Sequence, residues 1–232
     1  MKIITPGIAA LALLAAPAFA QSDGGEIDDI NAAPADAAPL ALPTESPVEA
    51  APAAAANAEP EYATADVRMT TSMGDIVIRL ETERAPVTSR NFLRYVREGR
   101  YNGMTFYRAT NLAEGYGLVQ GGTQGDPKMV LPPIAHEPTT ETGLSHLDGT
   151  ISMAMGEPGT ADGDFFIIVG DLVSLDAKDG APGFAAFGRV TEGMDMIRNI
   201  LAAPTDPNRG EGVMRGQFLA DPVRITSTAK ID

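Results

Sequence analysis

The stretch "TFYRATNLAEGYGLVQGG", residues 105–122, sets aromatic and apolar side chains beside single polar ones and ends on a Gln-Gly-Gly corner. Its alternation predicts strands over residues 104–107 and 117–120, with "ATNLAEGYG" as a long loop between them. Residues two apart on a strand share a face, so Phe106 and Arg108 are expected together, opposite Tyr107, and Leu118 is expected beside Gln120. Arginine is rarely buried unless paired. A guanidinium held among aromatics is therefore either an ion-pair member or a functional donor.

The same reading extends outward. In "VRMTTSMGDIVIRLE", Val67 and Met69, then Ile76, Ile78 and Leu80, fall at period 2 on either side of Ser72 to Asp75, which reads as a hairpin. A helix follows in "APVTSRNFLRYVREG": Pro86 suits its first turn, Phe92, Tyr95 and Val96 share one face, and Gly99 suits its end. Short apolar runs over residues 149–155, 165–169 and 184–190 read as further strands. A second helix is expected in "GMDMIRNILAA", burying Met196, Ile197, Ile200 and Leu201, and a last strand over 223–229. In "DGDFFII", Asp164 and Phe166 share a face opposite Phe165. Many short strands with two helices predict a mainly β protein, a closed antiparallel barrel capped by the helices and occupying residues 64–232.

The first 63 residues read differently. "MKIITPGIAALALLAAPAFAQ" combines Lys2, a short apolar run and Ala18-Phe19-Ala20, the pattern of a cleaved secretory signal over residues 1–20. The apolar run is shorter than the roughly 20 residues that cross a bilayer, so no membrane insertion is expected once it is removed. Residues 21–63 are rich in Ala and Pro and contain nine acidic residues but no Lys or Arg. Such a segment buries too little apolar surface to offset its chain entropy and is expected to be a disordered acidic linker. The expected location is periplasmic or secreted, and the expected state a monomer.

Composition removes several function classes. The chain has no cysteine, which excludes thiol catalysis, disulfides and thiolate metal sites, and its net charge of −14 disfavours nucleic acid as a partner. His136 and His146, even with Glu137 and Asp148 nearby, are too few for a metal centre, so no metal and no cofactor are expected. Ser145, His146 and Asp148 are adjacent in sequence without the local signature of a hydrolase nucleophile. What remains is a groove. If the faces bearing Arg108, Leu118, Gln120 and Phe166 meet outside the barrel, they form a shallow apolar hollow with a guanidinium and an amide at its edge, suited to an uncharged ligand bearing a carbonyl.

The motifs "FYR", "VQGG", "GTISMAMGEPGTADGDFFI" and "FAAFGRVTEGMDMI", in that order from about Met69 to Ala229, resemble the cyclophilin family of peptidyl-prolyl cis/trans isomerases. The resemblance implies an eight-stranded barrel with two capping helices and proline-containing polypeptides as substrates. It places Arg108 at the catalytic arginine and Gln120 at the glutamine that orients it. Phe166 takes the position of the proline-pocket phenylalanine, with Phe106, Leu118 and Ala154 around it. Met155 stands where an asparagine binds substrate backbone, and Leu175 and Phe184 form the far wall.

This chain departs from the family at several positions. Arg108 and Gln120 lie twelve apart, further than in the family. Gly117 falls where a pocket phenylalanine is usual, with Tyr116 as the candidate substitute. Asp164 replaces a glutamine, Ser174 a tryptophan and Tyr107 a histidine. A carboxylate at Asp164 is expected to pair with Arg108 through both oxygens. Because a guanidinium does not titrate, the rate is expected to be nearly flat between about pH 5 and 8. The alternative reading is a cyclophilin-like proline-peptide-binding module or chaperone with little catalysis, favoured by Gly117, Met155 and Asp164.

Overall fold

The computed structural model describes residues 61–231. The expected signal segment and nearly all of the expected linker lie outside the described residues. Eight antiparallel strands form a closed barrel in the order β1-β2-β7-β5-β6-β4-β3-β8. The strands are β1 Ala65–Thr71, β2 Gly74–Leu80, β3 Thr105–Ala113, β4 Tyr116–Gly122, β5 Thr150–Met153, β6 Phe165–Val169, β7 Ala185–Glu192 and β8 Phe218–Ile231. Closure by β8 against β1 leaves no free sheet edge. Helices α1 Pro86–Arg97 and α3 Met194–Leu201 close the ends, and a single helical turn, α2, spans Thr139–Thr142.

The core follows from the alternation. Val119 of β4 and Phe165 and Ile167 of β6 point inward, joined by Phe92 and Tyr95 of α1 and Ile197, Ile200 and Leu201 of α3. Their neighbours Leu118, Phe166 and Ile168 point outward into a second apolar cluster. The start of α1 is held by Glu137, whose carboxylate accepts from the backbone N–H groups of Val87 and Thr88 and from the Thr88 hydroxyl. A negative charge there meets the unsatisfied donors of the first turn. Glu137, adjacent to His136 in sequence, is thus occupied by the helix.

Two expectations about β3 and β4 change. The segment expected to be a loop is mostly strand, because both strands run on to a tight turn at Glu114 and Gly115. The register between them also shifts: Phe106 pairs with Gly121 and Arg108 with Gln120, so Tyr107 is an extra residue in a bulge. The bulge breaks the period-2 rule at this point. Phe106 turns into the core, edge-on to Phe165 at 5.8 Å, while Arg108 stays outside.

Candidate active site

Pairing across the sheet sets a row of outward positions. Arg108 of β3 pairs with Gln120 of β4, Gln120 with Phe166 of β6, and Phe166 with Ser152 of β5. Directly paired residues bring their Cβ atoms within about 5 Å on one face. A cation, an amide, an aromatic ring and a hydroxyl therefore line up across four strands.

Arg108 is only 2% exposed, and among the described residues it makes no ion pair. Neutral acceptors hold it instead. Nη1 donates to Gln120 Oε1 at 2.8 Å, while Nε and Nη2 donate to Gln217 Oε1 at 2.9 and 2.5 Å. Gln217 also accepts from the Thr110 hydroxyl at 2.9 Å and donates to the Val213 carbonyl at 2.6 Å. Burial lowers the Arg108 pKa and the neighbouring Tyr107 oxygen opposes the shift, yet a guanidinium stays charged at working pH. Three of its five N–H groups are engaged, which leaves two for a ligand. A buried cation with no carboxylate beside it is costly for stability, and such groups concentrate at functional sites.

On the same outer face lies a packed apolar cluster. Leu118, Ala154, Phe166, Ile168, Leu172 and Leu175 form one cluster, with Tyr116 and Phe184 packed on its rim. Phe184 stands edge-on to Phe166 with ring centres 5.5 Å apart, and Phe166 has no exposed surface, so a ring can be seated against it only if a neighbour moves. Gly117 cannot carry the family's phenylalanine: a Cβ there would lie 2.0 Å from the Thr110 carbonyl oxygen. Tyr116 supplies an aromatic ring instead, its hydroxyl donating to the Asp171 carbonyl at 2.8 Å.

The structure brings together Arg108 and Gln120, and separately Leu118, Ala154, Phe166, Leu175 and Phe184. Three expected substrate-binding residues, Phe106, Met155 and Asp164, lie elsewhere. Phe106 is in the core because of the bulge, and the Met155 side chain is in the core as well. The expected Asp164–Arg108 pair does not form. Asp164 sits behind the Gln-Gly-Gly corner and accepts from the Gln124 backbone N–H at 2.8 Å and from the Thr123 and Tyr107 hydroxyls at 3.3 Å each. A Cβ at Gly122 would fall 2.5 Å from Asp164 Oδ1, which is why that corner is glycine. Burial dominates at this carboxyl and pushes its pKa up to about 6.

Ile168 and Leu172 belong to the hollow and were missed by sequence reasoning, although Ile168 was findable two positions beyond Phe166 on the same strand. Gln217 gave no signal, since it arrives from the far end of the chain. Tyr107 was expected on the opposite face, yet its hydroxyl accepts from Gln120 Nε2 at 2.7 Å.

A second polar array lies on the other side of Phe166. His146 Nδ1 is 2.6 Å from Asp176 Oδ1, and its Nε2 is 3.0 Å from Ser152 Oγ. Burial lowers the His146 pKa in spite of Asp176, so the ring is neutral. Nδ1–H then donates to Asp176, and Nε2 accepts from Ser152. The order of groups is that of a hydrolase triad, but Ser152 and His146 have no exposed surface. The His146 ring stacks on Phe166 at 6.1 Å and 14°. Asp148 points elsewhere, to Arg198 and to the Gly170 N–H.

The chain is similar to known proteins. The model of the family described as "Cyclophilin type peptidyl-prolyl cis-trans isomerase/CLD" matches residues 66–229. The chain belongs to that family. A Dickeya dadantii protein named peptidyl-prolyl cis-trans isomerase A is 38% identical over 143 residues, 60% of this chain and 73% of that one. A Streptomyces antibioticus peptidyl-prolyl cis-trans isomerase is 38% identical over 150 residues, 62% of this chain and 87% of that one. Among solved structures, a cyclophilin type peptidyl-prolyl cis-trans isomerase of Cryptosporidium parvum superimposes with a TM-score of 0.60 at 22% identity, covering 73% of this chain and 99% of that chain. The fold is shared with a second structure of that protein, determined in the presence of the dipeptide Ala-Pro, at a TM-score of 0.58.

Proposed function

We propose that this chain is a peptidyl-prolyl isomerase that assists the folding of exported polypeptides, with Arg108 as the group that favours the twisted amide. The observation that carries the reading is the row of Arg108, Gln120 and Phe166 across three paired strands. Rotation about a prolyl amide faces a barrier of about 18–20 kcal/mol because the C–N bond is partly double. No bond has to break. In the twisted state the nitrogen becomes pyramidal and regains a lone pair, which a nearby N–H donor stabilises more than it stabilises the planar amide. The outer cluster grips the proline ring, and Gln120 and Gln217 fix the plane of the guanidinium while two of its N–H groups remain for the substrate. The Ala18-Phe19-Ala20 site supports export, and the acidic linker is read as a spacer.

A second reading, a proline-peptide binder with little turnover, is favoured by the complete burial of Phe166. Exchange NMR on a peptide with blocked ends and one Ala-Pro bond separates the two. Under the first reading the chain speeds exchange well beyond the uncatalysed rate of one event per roughly 10–100 s. Saturable binding at an unchanged exchange rate refutes it and leaves the binder.

A further inference from the structure

Arg108 is not isolated from titratable groups. Its Nη1 donates to Gln120 Oε1 at 2.8 Å, Gln120 Nε2 donates to the Tyr107 oxygen at 2.7 Å, and the Tyr107 hydroxyl donates to Asp164 Oδ2 at 3.3 Å. Every member is buried. Only one polarity satisfies the chain when Asp164 is ionised. The carboxylate can only accept, so Tyr107 must point its proton at Asp164, its oxygen then takes Gln120 Nε2, and the amide oxygen is left facing Arg108. A protonated Asp164 removes that requirement. Its own O–H can donate to Tyr107, which is then free to donate to Gln120, and the amide that turns to accept that proton presents Nε2, a donor, to a guanidinium that has no acceptor to offer.

From this geometry we propose that Tyr107 is a positioning residue that transmits the protonation state of Asp164 through Gln120 to Arg108, so that a proton on Asp164 loosens the guanidinium and slows turnover. The proposal rests on the isomerase reading given above. The groups facing Asp164 are Asp162 on its own loop, Tyr95 of α1, Tyr101 of the turn after α1, and Tyr107. Burial raises all three tyrosines, Tyr95 to about 12 and the other two well above their ordinary value, so they stay neutral near pH 7. The Asp162 charge adds to the burial that raises Asp164 to about 6. Among the described residues, Arg108 is linked to Asp164 through Gln120 and Tyr107.

The test is kcat/KM for a blocked Ala-Pro peptide, which has no titrating group, measured by exchange NMR from pH 5 to 8. In place of the flat profile expected of a guanidinium alone, the parent is expected to lose roughly three- to tenfold activity toward pH 5 in a single protonation step, the effect of weakening one hydrogen bond. Tyr107→Phe cuts the relay: with nothing left to donate to Gln120, the amide oxygen stays on Arg108, and the variant is expected to stay near the parent's neutral-pH activity at every pH, with no step. Asp164→Asn, which does not titrate, also gives a profile without a step and serves if the phenylalanine variant does not fold. A merely structural tyrosine would lower activity evenly and leave the step in place, and that result overturns the proposal. A parent that is active but flat across the range also overturns it while leaving the isomerase reading intact; a parent inactive at every pH removes both.

Discussion

Two buried polar arrays flank Phe166, and their carboxylates behave in opposite ways. Asp176 and Asp164 each accept three hydrogen bonds from the chain. At Asp176 burial raises the pKa, but the donors outweigh it and the net shift is downward. The donors are close: the Ser145 hydroxyl, the His146 N–H at 2.9 Å and the His146 ring at 2.6 Å. At Asp164 two of the three bonds are long, at 3.3 Å, and burial prevails. The number of hydrogen bonds therefore does not decide protonation. Their length and the access of water do. One array is fixed across the neutral range and supports the aromatic floor; the other titrates and leads to the cation.

The largest effect on stability is expected from breaking the fixed array. His146→Ala leaves a void beneath Phe166 and a fully buried Ser152 hydroxyl without its partner, and is expected to cost roughly 3–5 kcal/mol. Urea denaturation at pH 7.5 measures it. A loss under about 1 kcal/mol would show that the array collapses without penalty and that the contrast with Asp164 is unimportant for folding.

A smaller effect, with a sign, comes from the other side. The folded pKa of Asp164 is raised from 3.8 to about 6, so the folded state binds this proton more tightly than the unfolded chain does. Its contribution is fully present below about pH 3.8 and is lost as pH rises through about 6. Asp164→Asn has no such loss. The variant is therefore expected to gain stability over the parent as pH rises from 4 to 7, by up to roughly 3 kcal/mol. His146 works in the reverse sense: its lowered pKa ties stability to pH above about 6.5, lost as pH falls. A parent-minus-variant difference that stays constant with pH would mean that Asp164 binds its proton equally in the folded and unfolded states, and would end the comparison.

The contrast also explains what the sequence could show. Period-2 alternation placed Leu118, Gln120 and Phe166 correctly because β4 and β6 pair without irregularity there. It failed at Phe106 because a bulge is one extra residue, and nothing in "FYR" distinguishes a regular strand from a bulged one. Gly117 pointed to a changed pocket, but its reason, the close approach of the Thr110 carbonyl, exists only once β3 and β4 are paired. The relay through Tyr107 joins residues from two strands and a loop, and the Asp176–His146–Ser152 array joins three separated segments. Contacts of that kind leave no spacing in the chain to read.

The central claim is that a cation held by two glutamines speeds rotation of a prolyl amide. Exchange NMR on the blocked Ala-Pro peptide with Arg108→Ala, at pH 7.5 and with its fold checked by circular dichroism, tests it most directly. The account predicts a fall in kcat/KM of about a hundredfold or more, the usual effect of removing one transition-state donor. A folded variant that turns the peptide over at the parent's rate would contradict it.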